Sequence, residues 1–287
     1  MNFTARGKLA GIVGWPVAHS LSPQLHQHWL SEHGIDGAYI PLEIAREDLA
    51  KALSALSRAG FTGVNVTVPH KEAAFALAHS LDEAALGAGA VNVLLFRGDR
   101  LEGRNTDVPG LAASLTEALG GEALRGLTVC VLGAGGAARS AILACDHLGA
   151  TDIHIVSRKV DRAETLAATL RSHVRAALSG ASWNDRSGMM ASSRLLINAT
   201  SGGMKGAAPL ELDVGALPAD ATVCDFVYAP LATDLLKAAR ARGLRAIDGL
   251  GMLMYQAAPA FEAFYGVTPS VSPALRATLE QALRDAG

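Results

Sequence analysis

Residues 127–159 read LTVCVLGAGGAARSAILACDHLGATDIHIVSRK, and the order of features in this stretch decides the fold. An apolar run leads into Gly133-Ala134-Gly135-Gly136-Ala137-Ala138, which matches G-x-G-x-x-A. A helix-compatible segment and a second apolar run, DIHIVS, follow. Strand, glycine turn, helix and strand in that order are the opening of a dinucleotide-binding unit. The first glycine permits a tight turn, Gly135 lets the backbone approach a pyrophosphate, and Ala138 keeps the helix close to the sheet. The helix N-terminus then presents unpaired N–H groups to phosphate. A purely structural glycine turn is the alternative.

The charge after the second strand selects the cofactor. An NAD site places Asp or Glu about 20 residues on, to bind the ribose 2′-hydroxyl. Here the run ends Val156-Ser157-Arg158-Lys159, Arg162 lies one turn into the next helix, and the first acid is Asp161. Arginine offers a 2′-phosphate a planar, bidentate fork, whereas a carboxylate would repel it. NADP is therefore the expected cofactor; a solvated basic turn is the competing reading.

Further runs, RLLINAT, TVCDFVY and LRAIDG, extend the strand–helix alternation towards the C-terminus. Nearly continuous apolar strands joined by helices predict a doubly wound Rossmann-type parallel sheet over residues 108–250. Before it come KLAGIVG (8–14), a helix capped by Ser22 with Pro23 in its first turn and ending near Gly34, GAYIPLEI, a helix over 47–59, and the strand GVNVTV over 63–68. A helix beginning KEAAFAL and a hairpin turning at Gly98-Asp99 follow. Residues 1–107 are expected to form a separate α/β domain, completed by the C-terminal helices 251–287.

Composition agrees with this and excludes other classes. The chain has 287 residues, which at about 150 per domain gives roughly two. It carries 25 Lys plus Arg against 27 Asp plus Glu, a balance that gives no reason to bind nucleic acid or an anionic membrane. Cys130, Cys145 and Cys224 are widely spaced in apolar stretches, so reduced, buried thiols and a cytoplasmic location are expected. His19, His26, His28 and His33 do not form a metal pattern, because H-x-H on a helix points the two rings to different faces.

The N-terminal part carries a set of polar residues beside turns. Ser20 and Ser22 precede a helix and could bind a carboxylate or hydroxyls. Asn65 and Thr67 lie two apart on one strand and share a face, with Val64, Val66 and Val68 on the other. Lys71 falls in the first turn of a helix, where the dipole disfavours a cation and a partly dry site would lower an amine's pKa. Asn92 and Asp107 complete the set. Asp107 could instead cap the next helix, or sit beside Lys71 and steady its ammonium form.

Together the motifs resemble the shikimate dehydrogenase family. They are GWPVAHSLSPQLH (14–26), GVNVTVPHK (63–71), GAVN (89–92), NTD (105–107), GAGGAARS (133–140), NATSGGM (198–204), DFVY (225–228) and GLGMLMYQA (249–257). The resemblance implies two α/β domains separated by a cleft, and reversible, NADPH-linked reduction of 3-dehydroshikimate to shikimate, in aromatic amino-acid biosynthesis. It makes Lys71 and Asp107 the catalytic pair. It makes Ser20 and Ser22 carboxylate binders, and Asn65, Thr67, Asn92, Asp107 and Gln256 ligands of the ring hydroxyls, with Tyr228 of DFVY in the same group. Gly133, Gly135, Gly136 and Ala137 become the phosphate turn, and Ser157, Arg158, Lys159 and Arg162 the 2′-phosphate region. Thr200, Met204, Gly249 and Met252 become neighbours of the nicotinamide and its ribose. The chain departs from the family pattern at Gln27, Val93, Arg104 and His70, which keeps open a quinate/shikimate enzyme. A catalytically silent ligand sensor and another two-domain NADP oxidoreductase are the remaining rivals. A monomer or homodimer acting on a small molecule is expected.

Overall fold

A computed structural model describes residues 4–285. The chain forms two compact units: one runs through Asp107 and resumes at Leu253, and the other is Val108–Met252.

The second unit contains most of α5 (Asp107–Leu119), then β7 (Thr128–Leu132), α6 (Gly136–His147), β8 (Asp152–Ser157), α7 (Val160–Leu170), β9 (Ala177–Ser182) and α8 (Arg186–Ala191). It continues with β10 (Leu195–Asn198), β11 (Thr222–Asp225), α9 (Asp234–Ala241), β12 (Arg245–Ile247) and the first residues of α10 (Gly249–Tyr265). The sheet order is β12-β11-β10-β7-β8-β9, with every pair parallel. That is the doubly wound order, and its topological switch point lies between β7 and β10. Val129, Val131, Ile153, Ile155 and Ile197 lie on one face and Cys130, Leu132, Val156, Leu196 and Val223 on the other, and all are fully buried, as a sheet covered on both faces requires. On α6, Ala138, Ala141, Ile142 and Cys145 recur at helical spacing and are fully buried. The small volumes of Ala138, Ala141 and Cys145 let the helix lie close on the strands.

The first unit contains β1 (Lys8–Gly14), α1 (Ser22–Glu32), β2 (Gly37–Glu43), α2 (Leu49–Arg58), β3 (Phe61–Val66) and α3 (Lys71–Leu77). It continues with β4 (Ser80–Leu81), α4 (Glu83–Ala88), β5 (Val93–Arg97), β6 (Arg100–Arg104), the later part of α10 and α11 (Pro273–Asp285). Its sheet order is β2-β1-β3-β5-β6-β4. β2, β1 and β3 are parallel, whereas β5 runs antiparallel to β3 and β6 antiparallel to β5. The C-terminal helices are tied in by specific bonds. Trp29 Nε1 donates to the Ser270 carbonyl at 2.9 Å and Tyr265 OH to that of Ala38 at 2.9 Å.

Several local expectations need correction. Ser22 does not cap α1. The cap residue is Leu21, Ser22 is the first helical residue and is buried, and its N–H donates to Ser20 Oγ at 3.2 Å. Ser20 thus satisfies the helix's first amide, the duty expected of Ser22. β3 ends at Val66, so Thr67 is not on the strand and Val68, 69% exposed, has no place on an apolar face. The helix expected over 47–59 is regular only from Leu49 to Arg58, after a single 3₁₀ turn. The C-terminal helical region begins at Gly249, two residues earlier than expected.

β9 (ALSGAS) was not anticipated. It is an edge strand of small and polar residues, without the apolar run that marks the inner strands. Gly180 is required there, because a Cβ would come within 2.6 Å of the Glu164 nitrogen on α7.

Candidate active site

In the first unit the polar residues gather where strands end and helices begin. Lys71 starts α3, and its Nζ lies 2.6 Å from Asp107 Oδ2. The pair is largely screened from water, with the two side chains 27% and 12% exposed. Asp107 Oδ1 accepts from Asn92 Nδ2 at 2.9 Å. Asn92 Nδ2 also approaches Thr106 Oγ1 at 2.9 Å and Gln256 Oε1 at 3.3 Å, and Asn92 Oδ1 accepts from the Thr106 amide at 2.8 Å. Asn92 therefore commits its donors to neighbouring side chains and fixes where Asp107 stands. Asp107 opens α5, yet both carboxylate oxygens face this network, so its side chain does more than a cap.

Asn65 is 5% exposed, so its face of β3 does not meet water. Its Oδ1 accepts from Tyr39 OH at 2.7 Å and its Nδ2 donates to the Asn92 carbonyl at 3.2 Å. Thr67 follows β3, held by its amide to the Val13 carbonyl at 2.9 Å. Its methyl group sits over Gly14, where an added Cβ would come within 2.5 Å. Ser20 and Ser22 stand at the start of α1 as described. Gln256 keeps its Nε2 on the Leu253 carbonyl at 3.0 Å. Tyr228 belongs to the second unit, three residues after β11. The Lys71, Asn65, Asn92, Asp107 and Gln256 side chains thus form one linked constellation.

Asn105 and Thr106, the first two residues of the NTD motif, brace it. Asn105 donates to the Ala90 carbonyl at 3.0 Å and accepts from the Asp107 amide at 3.1 Å. Nothing in the sequence marks them as supports. Their buried, bonded state appears only once β5 and β6 are paired.

The second unit holds a cavity of about 570 Å³ at the C-terminal ends of its strands. Gly133, Gly135, Ser157, Arg158, Arg162 and Thr200, six of the residues expected to bind a cofactor, line it. Gly136, Ala137, Lys159, Met204, Gly249 and Met252 are not among its lining residues. Gly249 is explained by packing, since a Cβ there would strike the Phe226 carbonyl, and Met252 packs on the core of the unit.

Two observations test this cavity against a dinucleotide. Gly133 has φ +112°, and its Cβ would approach the Ala199 carbonyl at 3.1 Å, so glycine joins β7 to α6 across the switch point. Gly135 has ordinary extended backbone and nothing within 4 Å of a Cβ position. Neither backbone nor packing demands glycine there. The open space in front of the α6 N-terminus is what a pyrophosphate occupies. Arg158 and Arg162 are exposed, and among the described residues no carboxylate pairs with either. The donor set fits a phosphorylated dinucleotide.

Thr200 is held by a buried network the sequence did not reveal. Asn198 Oδ1 accepts from the Thr200 amide at 3.1 Å and from its hydroxyl at 2.7 Å. Asn198 Nδ2 donates to Asp225 Oδ1 at 2.8 Å. Asp225 also accepts from the Val227 amide at 3.0 Å and from Thr233 Oγ1 at 2.7 Å. Burial raises the Asp225 pKa, and these three donors oppose the rise.

A doubly wound unit whose glycine turn leaves open space before a helix N-terminus, and whose cavity carries two arginines without a carboxylate partner among the described residues, in one chain with a lysine–aspartate pair set among amides, defines the class of nicotinamide-dependent oxidoreductases. Comparison with known proteins narrows it. Residues 12–94 match the family model described as shikimate dehydrogenase substrate binding domain. The NADP(+)-dependent shikimate dehydrogenase of Paramagnetospirillum magneticum is 47% identical over 96% of this chain and 98% of its own. The solved Thermus thermophilus shikimate 5-dehydrogenase, in complex with NADP(H) and shikimate, has a TM-score of 0.83 at 36% identity, covering 98% of this chain and 100% of that one. Quinate dehydrogenase from Corynebacterium glutamicum, in complex with NAD, has a TM-score of 0.88 at 31% identity, covering 96% and 99%. The chain belongs to the shikimate dehydrogenase family.

Proposed function

We propose that this protein reversibly reduces 3-dehydroshikimate to shikimate with NADPH, and that Lys71 and Asp107 are its catalytic residues. The observation that carries the reading is the 2.6 Å Lys71–Asp107 contact inside a ring of fixed amides. When bound, the cofactor supplies or accepts the hydride. The chain manages the proton. In reduction, Lys71 Nζ gives a proton to the carbonyl oxygen as that oxygen gains charge; in oxidation, it receives the proton of the hydroxyl. Asp107 stabilises the ammonium form and orients it. Asn65, Thr67 and Gln256 orient the ring hydroxyls, Asn92 sets Asp107, and Ser20 and Ser22 serve the carboxylate. Gly133 and Gly135 admit the pyrophosphate, and Arg158 and Arg162 hold the 2′-phosphate. Three buried free thiols, with Cys130 and Cys145 pushed up to about 12 by burial, suit a cytoplasmic setting.

Quinate is the second substrate to weigh, given the likeness to the Corynebacterium enzyme. One panel decides: kcat/KM of the purified protein for shikimate and for quinate, each with NADP⁺ and with NAD⁺. Shikimate with NADP⁺ is expected to lead by about tenfold or more, since a site built to pair a polar group discriminates at least that well. Equal use of both cofactors would remove the assigned role of Arg158 and Arg162. Failure to turn over shikimate with either would overturn the reading itself.

A further inference from the structure

Tyr39 is a buried side chain of the edge strand β2, only 5% exposed where its neighbour Ile40 is 39% exposed. Its ring stacks on His26 of α1 at 3.8 Å between centroids and 9° between planes. From there its hydroxyl reaches past β1 to Asn65 on β3, donating to Oδ1 at 2.7 Å. One buried phenol therefore holds a residue that the proposed function places against the substrate.

The bonding fixes polarity as well as position. Asn65 Nδ2 faces the Asn92 carbonyl, which can only accept, so the amide cannot be flipped without setting oxygen against oxygen. Asn65 Oδ1 then takes the single Tyr39 proton. Among the described residues Asn65 keeps one unspent N–H, which it can present to a ligand oxygen.

We propose that Tyr39 is a positioning residue of the substrate site, fixing the Asn65 amide so that it turns an N–H towards a substrate oxygen. This rests on the functional reading given above. Its readout is a split in steady-state constants that a general loss of structure does not produce.

The experiment compares wild type, Tyr39→Phe, Asn65→Ala and the double variant, with shikimate and NADP⁺ and with thermal unfolding of each. Wild-type turnover of shikimate tests the underlying function independently. Tyr39→Phe keeps the ring on His26 and removes only the hydroxyl. It is expected to raise KM for shikimate about tenfold, the worth of one buried hydrogen bond, with KM for NADP⁺ unchanged and kcat altered less than KM. In the Asn65→Ala background the same change is expected to raise KM by about twofold or less. An unchanged KM for shikimate in Tyr39→Phe overturns the proposal. So does a full tenfold effect in the absence of the Asn65 amide, or a matching rise in KM for NADP⁺. A variant too unstable to assay would show that the hydroxyl serves the fold, which also overturns it.

Discussion

Lys71 Nζ and Asp107 Oδ2 stand 2.6 Å apart although 36 residues separate them in the chain. The first begins α3 and the second begins α5, and the β5–β6 hairpin carries the chain from one to the other. The amine has a carboxylate to hold it, and Asn92 holds that carboxylate in turn. Lys71→Ala removes the proton carrier and leaves the surrounding amides in place. Its kcat is expected to fall by about 10² to 10⁴, with KM for shikimate changing far less. Asp107→Asn, which leaves the ammonium without its counter-charge, should also lose kcat. Steady-state kinetics in both directions check this, and a Lys71→Ala enzyme with near-normal kcat would remove the assigned role.

Arg158 and Arg162 line the same cavity as Gly133 and Gly135. A guanidinium bonded to phosphate is worth about 1.5–3 kcal/mol. Arg158→Ala is therefore expected to raise KM for NADP⁺ by about 10- to 100-fold, and Arg162→Ala to act in the same direction. NAD⁺ has no 2′-phosphate, so its KM should move by no more than about threefold. The penalty should shrink as salt is added, because both side chains are exposed. A uniform loss for both cofactors would place these arginines elsewhere in the chemistry.

Much of this was legible before any coordinates. The inner strands β7, β8, β10 and β11 declare themselves by continuous apolar runs, and the Gly133 turn by its place between strand and helix. β9 did not, because an edge strand needs no apolar run and its Gly180 answers to the backbone of α7. Lys71 and Asp107 could be named as a pair, yet the braces could not. Asn105, Thr106, Asn198 and Asp225 act by satisfying buried neighbours, a property of pairing that spacing along the chain does not encode. Tyr39 is the clearest case, since its partner Asn65 is brought near by sheet order rather than by any motif. Ser22 misled for a related reason. A serine before proline reads as a cap, but the preceding Ser20 took the amide.

Asp225 makes a sharp test of the cofactor side. Replacing it by Ala leaves one Asn198 Nδ2 hydrogen, the Val227 amide and the Thr233 hydroxyl without their acceptor in a buried place, while the other Nδ2 hydrogen keeps the Gly202 carbonyl. Each orphaned group costs about 1–3 kcal/mol, so a stability loss of about 3 kcal/mol or more is expected. Asp225→Asn keeps one carbonyl oxygen and should lose less. Because Asn198 holds Thr200 at the cavity wall, both variants should raise KM for NADP⁺ before they affect KM for shikimate. Urea unfolding and paired KM measurements check the two halves separately.

His26 gives the pH dependence a sign. It is fully buried among Trp29, Tyr39, Phe261, Phe264 and Tyr265, and neither ring nitrogen has a partner among the described residues. Burial lowers its pKa from 6.5 to about 3. Between those values the unfolded chain binds a proton that the native state refuses, so stability falls as pH falls. The slope from this one residue approaches about 1.4 kcal/mol per pH unit, and it vanishes below the folded-state value. Above the unfolded-state value both states are neutral and the contribution is constant. His26→Phe keeps an aromatic ring against Tyr39 and removes the titration. Its urea midpoint should match or exceed that of the wild type near neutral pH, and the advantage should widen steadily on acidification towards about pH 4. Parallel curves for the two proteins across that range would mean that His26 is protonated in the folded state, and that the aromatic cluster is wetter than its geometry implies.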